Sequence, residues 1–340
     1  MNVGSDSDWR LVAGWLVAAL RYCGPYPVLV LLGEQGSAKS TTARVLRRCI
    51  DPNTAELRSE PRSEEDLLIA ATHGRVLTLD NVSRLQPWLS DALCRLSTGD
   101  GIGKRTLFTD TGETLLDCQR PMILNGIGDI VGRPDLLDRT FLVSLPRLDD
   151  CKLRREAEFW RAFADAHPRI LGALLDAVAM AIREEERTAK EIGPLPRMAD
   201  AACWIEAAAP ALGWERGSFL AAYQGNRDDA HGLALEASPI AAPLLELLGE
   251  SAAGFEGTSA DLLEALEGKV PEAARRAKHW PSNPRSLSTA LQRLAPNLRA
   301  LVRVLHRTPP RTGGEPAAAL DNRPETQPGF ASQRSLASRS

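Results

Sequence analysis

Residues Val28 to Ile50 read VLVLLGEQGSAKSTTARVLRRCI. Five apolar residues, the glycine-bearing octet GEQGSAKS and a stretch of helical spacing follow one another. The segment therefore predicts a buried strand, a tight loop and a helix. The octet, residues 33–40, is one residue away from the phosphate-loop pattern G-x-x-x-x-G-K-[ST], with Ala38 in the place of the last glycine. Successive main-chain N–H groups in such a turn, followed by a helix N-terminus, form a concave nest of positive potential that suits a chain of phosphates. The nest here spans Gly33, Glu34, Gln35, Gly36, Ser37, Ala38, Lys39, Ser40 and Thr41. Lys39 is placed to reach β- and γ-phosphates and the Ser40 hydroxyl to ligate Mg²⁺, so ATP and Mg²⁺ are the expected ligands. Ala38 costs little provided its φ is negative, because an alanine methyl then causes no strain.

A phosphate loop needs a second, acidic ligand for its metal at the end of a neighbouring strand. Asp80 in RVLTLDN fits, and a plain turn residue after a buried strand is the alternative. Asn125 ends PMILNG, where its side chain would orient water against the γ-phosphate or simply form an Asn-Gly turn. Arg133 and Arg139, in GRPDLLDRT, are read on a short helix ahead of TFLVSL. From there an arginine would extend into a neighbouring subunit's site and stabilise charge developing on the phosphoryl group, or else pair with Asp135 or Asp138 beside it.

Around this centre the chain reads as an α/β unit. The apolar residues of Trp9 to Arg21 recur at helical spacing, with Asp6 or Ser7 available as a cap. Arg75 to Asp80, Pro121 to Asn125 and Thr140 to Leu145 are short apolar runs, the pattern of strands buried on both faces. Helical stretches at Glu64 to Thr72 and Pro87 to Leu96 separate them, which implies a mainly parallel sheet over residues 1–150. Residues 151–235 turn to long Ala- and Leu-rich helices, read as a helical lid. At 340 residues the chain has room for a further domain. Its hydrophobic and charged fractions are ordinary, and a net charge of −3 points to no partner. Six scattered cysteines without a C-x-x-C pair suggest neither zinc nor a disulfide framework, and with them a reducing, cytoplasmic setting. The first residues lack a signal-peptide pattern and no run is long enough to span a bilayer, so a soluble protein is expected.

The order of parts, GEQGSAKS, LTLDN, LSTGDGIGKRTLFTDTGETLLDCQRPMILNG and RPDLLDR, resembles the AAA+ ATPase core of superfamily 3 helicases and of phage and mobile-element primase-helicases. The segment between Asp80 and Asn125 carries most of the likeness: a Gly-rich turn with basic residues leads into a hairpin. The resemblance implies a homo-oligomeric ring, Mg-ATP hydrolysis and a DNA substrate, with Lys104 and Arg105 touching the DNA backbone in a central channel. Ala38 and Asn81 depart from the pattern. The family usually carries a water-activating glutamate where Asn81 stands, and an amide cannot act as a general base. Hydrolysis is then expected to be slow, or its base to come from elsewhere, such as Glu34 or Glu113. No primase or origin-binding domain is legible ahead of the motor, which leaves room for a separate primase as partner.

Residues 236–314 hold a second nucleic-acid signal. Ten basic residues between Lys269 and Arg311 face the single acid Glu272, the composition of a counterion-releasing phosphate contact. Three helical patterns, the last opened by Asn283 and Pro284, followed by a strand at Leu301 to Leu305, resemble a winged helix-turn-helix. Leu287, Leu291 and Leu294 form the core stripe of its third helix and leave Arg285, Ser288, Thr289, Gln292 and Arg293 outward, with Arg307 on the wing. Trp280 is read as core. A basic helical domain that binds no DNA is the alternative. Residues 315–340, rich in Pro, Ser and Ala, are expected to be a disordered tail.

The sequence thus predicts an ATP-binding, ATP-hydrolysing, DNA helicase-like motor of a phage or mobile-element replication system. The alternative is a nucleotide-binding DNA regulator with little or no turnover, in which ATP is an assembly ligand. A small phosphate-loop kinase is disfavoured because it has no use for the basic carboxy-terminal section.

Overall fold

Helix α1 (Asp6–Ala19) opens at Ser5, whose Oγ accepts the Asp8 N–H at 3.0 Å, so the cap lies just ahead of Asp6 and Ser7. It leads to β1 (Val28–Leu32), α2 (Lys39–Ile50), α3 (Glu64–Thr72) and β2 (Leu77–Val82). Next come α4 (Pro87–Thr98), the antiparallel pair β3 (Ile102–Arg105) and β4 (Glu113–Leu116), then β5 (Met122–Gly126), α5 (Pro134–Leu137) and β6 (Thr140–Ser144). The computed structural model describes residues 2–99, 102–105, 113–116, 118–127, 130, 133–149, 151, 153–250, 255–277 and 280–307. For 102–105, 113–116 and 300–307 it describes the backbone path only. Residues 308–340, with the expected turn after the wing strand and the expected tail, lie outside this range.

The strands β2, β5, β1 and β6 lie side by side in that order, and every pairing is parallel. Arg58 adds a short parallel bridge to Leu79 on the outer side of β2. The buried stretches of the strands are largely apolar because both faces of the sheet are covered there, and polar residues such as Asp80, Asn81 and Asn125 come toward the carboxyl ends. Leu29, Leu31, Ile123, Phe141 and Val143 meet α1 and α2 on one face. Val28, Val30, Leu77, Leu79, Met122 and Leu124 meet α3 and α4 on the other. Trp15 is fully buried, with its indole N–H donated to Pro27 O at 2.9 Å, so the large ring adds apolar contact without an orphaned donor.

Five longer helices follow: α6 (Glu156–Glu191), α7 (Ala199–Ala208), α8 (Ser218–Glu236), α9 (Ala241–Gly249) and α10 (Ser259–Gly268). The one-turn α11 (Glu272–Arg275) and α12 (Pro284–Arg307) are the last elements among the described residues. Two compact units divide it: residues 1–237 with 291–305, and 238–290 with the residues from 306 on. The helices α6 to α8 do not stand apart from the sheet. Leu174 and Ala177 of α6, Trp204 and Ile205 of α7, and Phe219 and Tyr223 of α8 enter the same core as α1, β1 and β6. Phe141 of β6 meets Phe219 and Tyr223 edge-on at centroid distances of 5.8 and 4.8 Å.

The edge strand β6 is closed by a side chain. Asn226 Oδ1 accepts from Leu142 N–H at 2.9 Å, and its Nδ2 donates to Leu142 O at 2.5 Å, so one amide replaces a neighbouring strand.

The second unit holds α9, α10 and α11. Thr258 and Asp261 form a reciprocal capping box on α10, and Asn283 Oδ1 caps the start of α12 by accepting from Ser286 N–H at 2.8 Å. Trp280 and Leu287 are buried. Leu301 to Leu305, expected as the wing strand, are instead helical, because α12 runs without interruption from Pro284 to Arg307. Leu294, Leu298, Leu301 and Leu305 continue an i, i+4, i+7, i+11 stripe, and this helical period overrides the short β-branched alternation at Val302 and Val304. Pro296 inside the helix removes one N–H without ending it. No strand lies in the second unit among the described residues. Nor is any single described helix long and apolar enough to cross a membrane.

Candidate nucleotide site

Because the four strands are parallel, their carboxyl ends gather on one edge, where ligands of open α/β sheets bind. The loop after β1, Asp80 and Asn81 in β2, and Asn125 at the end of β5 all open on this edge.

Loop 33–38 turns tightly, with Ser37 N–H donated to Glu34 O at 3.3 Å and Ser37 fully buried. A side chain at Gly33 would meet Leu145 O at 2.5 Å and Ser37 Oγ at 2.6 Å, so only glycine fits there. Gly36 has φ 85°. Ala38 has φ 63° and ψ 30°, a left-handed conformation. This overturns the expectation of a negative φ. The position that lost its glycine is one whose backbone favours glycine, at a cost of about 1–2 kcal/mol for a residue with a Cβ.

Lys39 Nζ donates to Gly33 O at 2.7 Å and Glu34 O at 2.8 Å, folding back over the loop. Partial burial lowers its pKa, against the opposing attraction of Asp80. Ser40 Oγ donates to Asp80 Oδ1 at 2.8 Å. The two oxygens expected to share a divalent ion are therefore already adjacent, and a hydroxyl with a carboxylate is the hard-oxygen donor set that Mg²⁺ takes. Asp80 is thus joined by a hydrogen bond to the first turn of α2 and lies within β2. Glu34 and Gln35 are exposed at the loop tip, while Thr41 sits in the first turn of α2. Asn2 reaches the loop from the amino end, its Nδ2 donating to Pro146 O at 2.5 Å and to Ser37 O at 3.4 Å. Nothing in the sequence pattern marks that contact.

Between Leu79 and Val82 the ladder of β2 with β5 shifts register, and Asp80 and Asn81 fall in the irregularity. The Asp80 N–H goes outward to Arg58 O at 2.8 Å, and the Asn81 N–H goes inward to Asn125 Oδ1 at 2.9 Å. Asn81 has φ 58°. Asn125 is 1% exposed, and its Nδ2 has no hydrogen-bond partner among the described residues. Gly126 follows, where a side chain would strike Val82 O at 1.9 Å; the Asn-Gly pair reflects close strand packing rather than a free turn.

The arginines differ from their expected placing. Arg133 precedes α5 as its N-cap residue, and Arg139 lies just beyond it. Arg133 pairs with Asp91 at 2.8 Å and with Asp135 at 3.7 Å. Arg139 Nη1 donates to Asp135 O at 2.5 Å. Asp138 pairs instead with Arg227 at 3.4 Å. The partner Asp91, on α4, is a long-range neighbour that sequence spacing does not reveal.

Of the residues read as touching DNA, Arg285, Gln292 and Arg293 are exposed on α12, as is Thr289. Ser288 is turned away, its Oγ within 2.9 Å of Ser259 Oγ and donating to Pro284 O at 3.0 Å. Arg307 is the last residue of α12 and not part of a wing strand. Lys104 and Arg105 end β3, in the antiparallel pair where the hairpin was expected, with Lys104 opposite Thr114 and Arg105 opposite Glu113.

Comparison with known proteins bears on this arrangement. A family model described as "Actinomycete integrative conjugative element replication protein" matches residues 1–233, and one described as "AICE RepA C-terminal domain" matches residues 240–312. The chain belongs to this replication-protein family. It is a replication protein of a mobile element. No curated protein matches the chain. Among solved structures, the apo C-terminal region of NrS-1 is similar at 12% identity and a TM-score of 0.35, over 64% of the replication protein and 65% of that chain. The JCV helicase bound to a thiazolopyridinyl-phenoxyphenyl acetamide is similar at 9% identity and a TM-score of 0.27, over 69% and 62%. The replication protein spans less than two thirds of either chain's length.

Proposed function

We propose that this replication protein binds ATP with Mg²⁺ in loop 33–41 and hydrolyses it as a DNA helicase-like motor. The observation that carries the reading is the Ser40 Oγ to Asp80 Oδ1 hydrogen bond at 2.8 Å beneath a phosphate loop. Bound there, Mg²⁺ would neutralise phosphate charge. Lys39 leaves the carbonyls of Gly33 and Glu34 to reach the β- and γ-phosphates, and the loop N–H groups hold their oxygens. Asn125 orients the attacking water. Its oxygen forms a bond to the γ-phosphorus as the bond to the bridging oxygen of ADP breaks, and the released proton passes to solvent. Arg133 or Arg139 of a neighbouring copy supplies positive charge in a homo-oligomeric ring, once released from Asp91 and Asp135. Lys104 and Arg105 on the β3–β4 pair, and Arg285, Gln292, Arg293 and Arg307 on α12, contact single- or double-stranded DNA. A separate primase is a partner this motor has room for, and a cytoplasmic setting fits the reading.

A second reading is favoured by three features together: Asn81 beside Asp80, the left-handed Ala38 and the tethered arginines. In it ATP is an assembly ligand of a DNA-binding regulator with little turnover. ATP turnover and strand separation, with and without single-stranded DNA, decide between them for the natural chain beside Lys39→Ala. The motor predicts DNA-stimulated turnover that Lys39→Ala lowers at least ~10²-fold. ATP binding without turnover leaves the regulator, and absence of ATP binding by calorimetry removes both.

A further inference from the structure

The exposed side chain of Asn81 makes no hydrogen bond among the described residues, yet its main chain is tied into the site. Three observations converge on it. Asn81 holds a left-handed backbone at φ 58°. That turn falls in the register shift between Leu79 and Val82, a device that re-aims groups beside functional sites. The N–H so aimed meets Asn125 Oδ1 at 2.9 Å, which fixes which end of the Asn125 amide is oxygen and which is nitrogen. The amide is buried, and its Nδ2 is left without a partner among the described residues.

Strand β5 lies between β1 and β2, with Asn125 paired in register to Leu31, two residues before Gly33. Asn125 therefore lies, across the sheet, between the loop that follows β1 and Asp80 of β2, with its Oδ1 engaged on the β2 side by the Asn81 N–H. A buried donor without an acceptor costs free energy, and such a cost persists where a ligand supplies the acceptor.

We infer that Asn81 is a positioning residue that acts through its main chain: its left-handed N–H locks the Asn125 carboxamide with Nδ2 toward the γ-phosphate and the attacking water. The inference rests on the ATP-hydrolysing reading above. It explains why asparagine stands beside Asp80, since asparagine adopts the left-handed region far more readily than other residues with a side chain. The residue serves through its backbone, and its amide does not replace a glutamate base.

The test combines kinetics and hydrogen exchange on the full chain. Asn81→Val, which disfavours the left-handed backbone, is expected to lower kcat about 10-fold with KM for ATP unchanged. Asn81→Ala should fall between it and the natural chain, and serves if the valine variant does not fold. Asn81→Gly, which takes the conformation freely and keeps the N–H, should rescue kcat to within about 3-fold of the natural value. Asn125→Ala should lower kcat ~10²-fold and speed exchange of the Asn81 amide, read by mass spectrometry. Asn81→Gly as slow as Asn81→Val would overturn the inference by assigning the role to the side chain. So would an Asn81 amide whose exchange is unchanged in Asn125→Ala, or a natural chain that binds Mg-ATP without turning it over. Failure to bind Mg-ATP at all, measured by calorimetry, strikes the ATPase reading itself.

Discussion

Ala38 concentrates the cost of the phosphate loop in one methyl group. Its left-handed backbone is imposed by the turn through Gly36 and Ser37 and by the start of α2, where Thr42 N–H donates to Ala38 O at 2.9 Å. Replacing it with glycine relieves about 1–2 kcal/mol, and the greater freedom of glycine in the unfolded chain takes back about 0.5–1 kcal/mol. Ala38→Gly is therefore expected to raise stability by up to about 1.5 kcal/mol in urea denaturation. The alanine-for-glycine departure is visible in the sequence, but its sign is not. A φ angle belongs to loop closure, which no single residue type reports.

At the scale of elements, two cases turn on particular side chains. Asn226 of α8 satisfies both main-chain groups of Leu142 on the open edge of β6. Asn226→Ala leaves a partly buried N–H and C=O unpaired, and is expected to cost about 1–3 kcal/mol in chemical denaturation. Helix α12 carries the second case. Its exposed Arg285 and Arg293 lie on the side opposite the buried Leu287 and Leu294, so under the proposed function both are open to a phosphate backbone. For the double variant Arg285→Ala with Arg293→Ala, the slope of log affinity for duplex DNA against log salt should fall by roughly 2, with basal ATP turnover retained. An unchanged slope removes α12 from the DNA interface. Leu301 to Leu305 illustrate the limit of local reading, since five residues fit a strand and a helix equally well. Leucines several turns apart settle it in favour of the helix.

Across the whole molecule, the largest unit is one in which the sheet and the helices α1, α2 and α6 to α8 share a core. Its burial is open to measurement through thiols. Cys49, buried in that core, has its pKa pushed up to about 11 by desolvation, whereas Cys151 is exposed. Alkylation at pH 8 should label Cys151 rapidly, and Cys49 only at the rate at which the unit opens, measured by mass spectrometry. Rapid labelling of Cys49 in the native chain contradicts the shared core.

The sequence by itself determined the parallel α/β core, the loop and its Lys39–Ser40 pair, and the acidic end of β2. These are written in hydrophobic period and in short spacings, which act over a few residues. Only the tertiary structure decided the backbone of Ala38, the hydrogen bond between Asn81 and Asn125, the capture of Arg133 by Asp91, and the helical course of residues 301–305. Each of these depends on groups brought together from distant parts of the chain, or on a turn whose closure fixes its angles, and neither is recorded in the local order of residues.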